Sequence, residues 1–173
     1  MMSAESRRMQ VLATISESHI PISASLLAKN LNVSRQIIVG DVALLRAQGH
    51  EIIATARGYI MTALRDEHKY LGKIACRHTP DETKEELYTI VDLGAVVVDV
   101  IVEHEVYGEI TGQLNLRSRG DVDAFLNRLN QMQVKLLSEL TDGIHLHTLA
   151  CRDKGHFDKV YQKLTALGYL LEA

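Results

Sequence analysis

The stretch from Ser23 to Gly49, SASLLAKNLNVSRQIIVGDVALLRAQG, constrains the fold more tightly than any other part of the chain. Ser23 and Ser34 each stand where a hydroxyl would accept a free N–H of a first helical turn. Leu26, Leu27 and Leu31 recur every three to four residues after the first cap, and Ile38, Val42 and Leu45 form an inner stripe after the second. Asn32 and Val33 leave room only for a short turn between them, and Gly49 suits the left-handed position that closes a helix. Upstream, RRMQVLATISES carries Met9, Leu12, Ala13, Ile15 and Ser16 at helical spacing, and a connection containing Pro21 follows. This order is the helix-turn-helix pattern.

The next residues, EIIATARGYIM, add two short β-prone runs around Ile52–Ile53 and Tyr59–Ile60, flanking Ala56-Arg57-Gly58. They read as a tight hairpin, a wing behind the recognition helix. A recognition helix meets the major groove through its N-terminal residues, where Ser34, Arg35 and Gln36 lie. Arginine and glutamine pair bidentately with guanine and adenine edges. Val39 and Ala43 are small enough to meet thymine methyls, Arg46 is placed for a phosphate, and Arg57 for a phosphate or the minor groove. The bland alternative, a solvated helix face, accounts for the arginine and glutamine but not for the cap-turn-cap grammar. Gly40 is out of place, since glycine inside a helix costs about 1 kcal/mol relative to alanine.

Charge divides the chain in the same way. Residues 1–65 carry seven Lys/Arg against four acids, while residues 66–173 carry twelve against eighteen, so a net charge of −3 conceals a basic module joined to an acidic one. No apolar run approaches the roughly 20 residues a bilayer crossing needs, and MMSAESRRMQ lacks the apolar segment of a secretory signal. Two cysteines, Cys76 and Cys151, make no disulfide framework, and reduced thiols in a cytoplasmic protein are expected.

Beyond a polar hinge at Thr62–Lys69 the pattern changes. KYLGKIACRH, AVVVDVIVEH, VYGEITGQLNL, the short run KLLSEL, GIHLHTLAC and the final LLEA read as strands. DETKEELYTIVDLG, GDVDAFLNRLNQM and KGHFDKVYQKLTALG read as helices. The expected architecture is α+β: a winged helix-turn-helix over residues 1–63, then a mainly antiparallel sheet with helices on one face over residues 68–173.

Within that sheet, IHLHTLAC places His145, His147 and Cys151 on one face and Ile144 and Leu146 on the other. The apolar pair is expected to meet the helices, leaving the histidines on the open face. In CRHTPDETKEE, His78 ends a strand and Glu86 follows eight residues later on the next helix. If the two strands are neighbours, three imidazoles and a carboxylate converge, a donor set suited to zinc, nickel, iron or manganese. Cys76, two residues before His78, is a conceivable soft ligand, although a structural thiol is the commoner role. His104 sits at a strand end beside a turn, and His19, His50, His68 and His156 carry no motif and read as surface residues.

These segments together resemble the niacin-responsive transcriptional repressors of the NiaR/YrxA type. SASLLAKNLNVSRQIIVGDVALLRAQGHEIIATARGYIM resembles their winged helix. ACRHTPDETKEELYTIVDLGA, VDVIVEHEVYGEITGQLNLRSRGDVDAFL and LTDGIHLHTLAC resemble their three-histidine domain. The resemblance implies a non-enzymatic, dimeric repressor of NAD-biosynthesis or niacin-uptake genes that binds double-stranded operator DNA. It implies nicotinic acid as co-repressor and a divalent metal, nickel or zinc foremost, held by His78, Glu86, His145 and His147. His104 matches the remaining histidine of the signature, and with Tyr107 it is expected to line the effector site. A longer polar side chain at Gly40 and proline at Glu105 would fit the family pattern better. Two rivals stand beside this reading: a metal sensor with no organic effector, and a metal-dependent hydrolase, for which no general base is evident near the histidines.

Overall fold

A computed structural model describes residues 1–61 and 70–171. The chain forms two compact units, Met1–Ala63 and Leu64–Ala173. Their boundary falls in the stretch 62–69, outside the described residues together with the expected hinge and His68.

The first unit opens with α1 (Ala4–Glu17), capped by Ser3, whose Oγ accepts the Ser6 N–H. Its buried face is set by Val11 and Ile15, whereas Met9, expected inside, is 67% exposed. The reason for this phase lies one turn earlier. Arg7, four residues before Val11, donates through Nε and Nη2 to the buried carboxylate of Asp41 at 2.6 and 3.1 Å. Helix α2 (Ala24–Leu31) begins on Ser23 and ends on Asn32, which turns left-handed at φ 54°. Helix α3 (Arg35–Ala47) begins on Ser34, whose Oγ accepts from the Ile37 N–H. Ile38, Val42 and Leu45 of α3 meet Val11, Ile15, Leu27 and Ile52 in one apolar core. Strands β1 (Ile53–Thr55) and β2 (Gly58–Ile60) pair antiparallel as the wing. Gly58 is required there: at φ +132° a Cβ would stand 2.4 Å from the Ile22 carbonyl carbon. That close approach lets Ile22 and Tyr59 exchange two backbone hydrogen bonds, fastening the Pro21 connection to the wing.

The second unit runs β3 (Tyr70–Arg77), a 3-10 turn (Pro80–Glu82), α4 (Thr83–Asp92), β4 (Val96–His104) and β5 (Gly108–Leu116). It continues through α5 (Arg119–Gln131), a second 3-10 turn (Leu137–Thr141), β6 (Ile144–Cys151) and α6 (Lys154–Ala166). The strands lie in the order β3-β6-β4-β5 with every pairing antiparallel, so the α+β architecture holds. KLLSEL departs from the expected strand. Leu137 to Thr141 coil into the 3-10 turn, because a run this short carries no periodicity to separate strand from turn. The expected terminal strand LLEA reduces to a bridge from Leu170 to Cys76, with residues 172 and 173 outside the described set. Val106 and Tyr107 belong to the turn before β5 rather than to the strand.

The helices cover the face opposite to the one expected. Phe157 of α6 lies over Gly72, where a Cβ would meet its ring at 2.4 Å, and Gly72 shares a face with Ile74 and Cys76. Those residues pair across the ladder with Leu149, His147 and His145. The histidine face is therefore the covered one. His145 and His147 are 3% and 4% exposed, while Ile144 is 42% exposed. The imidazoles can occupy a core face because each finds polar partners there.

Candidate metal centre

Strand alternation and the β3–β6 register supply the first part of the site. His145 lies directly opposite Cys76 and His147 opposite Ile74, so the adjacency of the two histidine-bearing segments is realised. His78 follows the end of β3, where Thr79 caps the first 3-10 turn. Glu82 Oε1 accepts from both the N–H and the hydroxyl of Thr79 at 2.9 Å. That capped turn feeds α4 back along the sheet and brings Glu86, on its first turn, under the strands. Glu86 is fully buried, at 0% exposure.

All three histidines aim Nε2 at this one carboxylate. His78 pairs with Glu86 Oε2, His145 reaches the same oxygen at 3.3 Å, and His147 meets Oε1 at 2.7 Å. The rings stack edge to face, with centroids 4.8 Å apart for His78–His145 and for His145–His147. Tyr169 closes the far side of His78 at a centroid distance of 5.6 Å, its hydroxyl donating to Glu85.

The other ring nitrogens decide what this arrangement can do. His78 Nδ1 bonds the Thr79 carbonyl, His145 Nδ1 the Gly143 carbonyl and His147 Nδ1 the Asp99 carbonyl, each at 2.8 Å. A carbonyl only accepts, so each Nδ1 carries a proton and each neutral ring turns an Nε2 lone pair toward Glu86. Three lone pairs around a buried anion repel unless a cation, either protons or a metal ion, lies between them. Carbonyls that fix the tautomer of ligating histidines are the usual outer support of metal sites. The donor chemistry therefore fits a divalent transition metal.

Local irregularities provide two of those carbonyls, those of Asp99 and Gly143. The β4–β6 register shifts between Val97 and Ile101. The shift frees the Asp99 carbonyl for His147, and the Asp99 carboxylate takes the Thr148 N–H at 2.9 Å. At Gly143, with φ +87°, a Cβ would stand 2.3 Å from the His78 carbonyl oxygen, so only glycine lets these two loops meet.

Without a metal, protons must answer the carboxylate. Burial opposes charge on His78 and His147, but hydrogen bonding and charge from Glu86 outweigh it, and both stand above the ordinary histidine range. Burial likewise opposes the Glu86 anion, yet the His147 charge and the three imidazole bonds hold it well below the usual carboxylate range.

Other expected site residues lie apart from this cluster. The His104 ring bonds within its own turn, Nδ1 accepting the N–H groups of Val106 and Tyr107 at 3.1 and 3.3 Å. Tyr107 is 78% exposed beside it. On the first unit, Arg35, Gln36, Ala43 and Arg46 are exposed on α3, and a Cβ at Gly40 would meet nothing within 4 Å. Val39 was expected to point outward. It is half-buried against the core, following the stripe of Ile38 and Val42. Arg57 is half-buried at the wing, its N–H donating to Thr55 Oγ1.

One further expectation changes. His156 is not a surface residue but is 5% exposed. Its Nε2 donates to the Leu93 carbonyl at 2.6 Å, and its Nδ1 accepts the Arg152 N–H. The signal was present in the sequence, since His156 lies four and eight residues before the buried Val160 and Leu164 of α6. Tyr169 and the Asp99 carbonyl carried no such signal, the first lying past a helix end and the second depending on a bulge.

A winged helix followed by a domain with a buried three-histidine cluster is the architecture of a DNA-binding regulator. Residues 7–60 match the family model described as an HTH domain, and residues 72–173 match the 3H domain. The chain is 44% identical over 168 residues to the transcription repressor NadR of Bacillus subtilis (strain 168), covering 96% of this chain and 93% of the relative. It is 38% identical over 168 residues to the probable transcription repressor NiaR of Thermotoga maritima, covering 97% and 95%. The chain belongs to this NiaR/NadR-type family of 3H-domain transcription repressors, a family of DNA-binding regulators and not of enzymes. Among the described residues, no helix is long and apolar enough to cross a membrane.

Proposed function

We propose that this chain represses NAD-biosynthesis or niacin-uptake genes in the cytoplasm, with nicotinic acid as co-repressor and a divalent transition metal held by His78, Glu86, His145 and His147. The observation that carries the metal reading is the three Nδ1–H groups committed to carbonyls, which leaves three Nε2 lone pairs on one buried carboxylate. Nickel and zinc suit imidazole nitrogen best, and iron and manganese are served by the same set. The metal supplies a Lewis-acidic point to which a pyridine carboxylate can bind.

The residues of the chain do the rest. Ser34, Arg35 and Gln36 read bases from the start of α3, Val39 meets a thymine methyl from its partly exposed side, and Arg46 and Arg57 hold phosphates. His104 and Tyr107 bind the effector. The working form is a homodimer on a two-fold symmetric operator. Nicotinic acid acts only if it binds the DNA-competent arrangement better than the alternative, since equal affinity for both shifts nothing. The family relatives named as repressors support the DNA half of the reading.

Two substitutions separate the halves. Arg35→Ala weakens operator binding and leaves metal content intact, while His145→Ala loses both the metal and the response to nicotinic acid. A His145→Ala protein that keeps stoichiometric metal contradicts the ligand set. Switching by metal alone, indifferent to nicotinic acid, returns the domain to a pure metal sensor.

A further inference from the structure

The buried cluster holds one more donor than the three histidines and the carboxylate. Cys76 is 0% exposed and stands directly across the β3–β6 ladder from His145, on the same face of the sheet. Its sulfur, a Glu86 carboxylate oxygen and a His145 ring nitrogen all lie within 4.8 Å of one another. Two donors on one ion, with metal–nitrogen bonds of about 2.1 Å and metal–sulfur bonds of about 2.3 Å, can stand up to roughly 4.4 Å apart. The three atoms therefore need only a small contraction to share a metal.

Charge balance makes the same argument independently. A divalent ion held by three neutral imidazoles and one carboxylate keeps a net positive charge, and these ligands are all 9% exposed or less. An uncompensated charge in such a place is costly. One further anionic donor brings the site to neutrality, and Cys76 is positioned to be that donor. Cys151 lies at the opposite end of β6, across from Tyr70, and plays no part in the cluster.

We infer that Cys76 is a thiolate ligand of the metal, giving a His3GluCys centre with a preference for soft and borderline ions. The inference rests on the metal reading proposed above. The step balances simply: the thiol gives its proton to solvent as the metal–sulfur bond forms, with no change in oxidation state. A sulfur donor favours zinc, nickel and cobalt over manganese, so Cys76 governs which metal the repressor answers to.

Loading the whole 173-residue chain with cobalt(II) tests this directly. A sulfur-to-cobalt charge-transfer band in the near ultraviolet is expected in the wild type, retained in Cys151→Ser and absent in Cys76→Ser. Competition between zinc and manganese should shift toward manganese by about tenfold or more in Cys76→Ser, a ligand-level change. If Cys76→Ser does not fold, the wild-type spectrum with Cys151→Ser still assigns the band, because the chain has two cysteines. Stoichiometric cobalt without the band overturns the cysteine ligand and leaves the histidine site standing. No cobalt bound at all overturns both.

Discussion

Replacing Glu86 with glutamine separates the two roles of the site, because the substitution helps one state and harms the other. In the metal-free chain, the carboxylate faces three Nε2 lone pairs that only protons can reconcile. The amide of glutamine offers two N–H donors in nearly the same volume, so two imidazoles gain a neutral hydrogen-bond partner. Well above the raised folded values of His78 and His147, metal-free Glu86→Gln should melt no lower than the wild type. The metal-loaded state behaves oppositely. Free metal at 100 times the dissociation constant stabilises the wild type by about 2.7 kcal/mol, roughly 10 °C or more for a domain of this size. Disturbing a residue that merely orients a ligand costs about 10–100-fold in metal affinity, and losing an anionic ligand costs at least the upper figure. At the same metal concentration the variant then gains only about 0.4 kcal/mol, roughly 2 °C. Thermal melts of both proteins, with chelator and with metal, give the four values required. A metal-free variant that melts well below the wild type, or one that metal stabilises as strongly, is incompatible with these two roles of Glu86.

Further outcomes follow from the same geometry. His78 and His147 are raised above their ordinary pKa by Glu86 against the opposing effect of burial. Their contribution to the metal-free fold is complete below the unfolded histidine value and is lost as pH rises through the folded values. Glu86 is lowered, burial again opposing, so its contribution is present above the unfolded carboxylate value and is lost as pH falls through its folded value. Metal requires deprotonated nitrogen, so its stabilisation grows with pH. Between about pH 6 and about pH 8 the metal-free melting temperature should fall while the increment from metal rises, and parallel curves in calorimetry would contradict the protonation account. Gly58→Ala places a Cβ 2.4 Å from the Ile22 backbone at φ +132°. It should cost about 2–3 kcal/mol in the winged helix and loosen the wing, as amide exchange at Tyr59 would report. Arg35→Ala should weaken binding to the preferred operator by about 1–3 kcal/mol or more, with relaxed preference at the contacted base pair, whereas a phosphate contact such as Arg46→Ala should weaken all sequences alike and reduce the salt slope.

What could be read from residues alone depended on how local the cause was. Ser23, Ser34, Asn32 and Gly49 act within a turn of their own positions, so the helix-turn-helix was legible almost to the residue. The phase of α1 was not, because Arg7 turns inward to meet Asp41, 34 residues away. Strand alternation put His145 and His147 on one face, but period two cannot say which face a helix will cover. The expectation that apolar residues meet the helices failed because Glu86 and three backbone carbonyls make the imidazole face a satisfied interior. Two of those carbonyls come from the β4 irregularity at Asp99 and from Gly143, and neither leaves a mark in the periodicity.

We propose that a metal centre and nicotinic acid together govern DNA binding by the winged helix. A mobility-shift assay on the DNA upstream of the chain's own gene, run with and without nicotinic acid and with and without chelator, addresses it most directly. A shift that nicotinic acid strengthens is expected, and that strengthening should disappear when the metal is removed. No shift under any of the four conditions would contradict it.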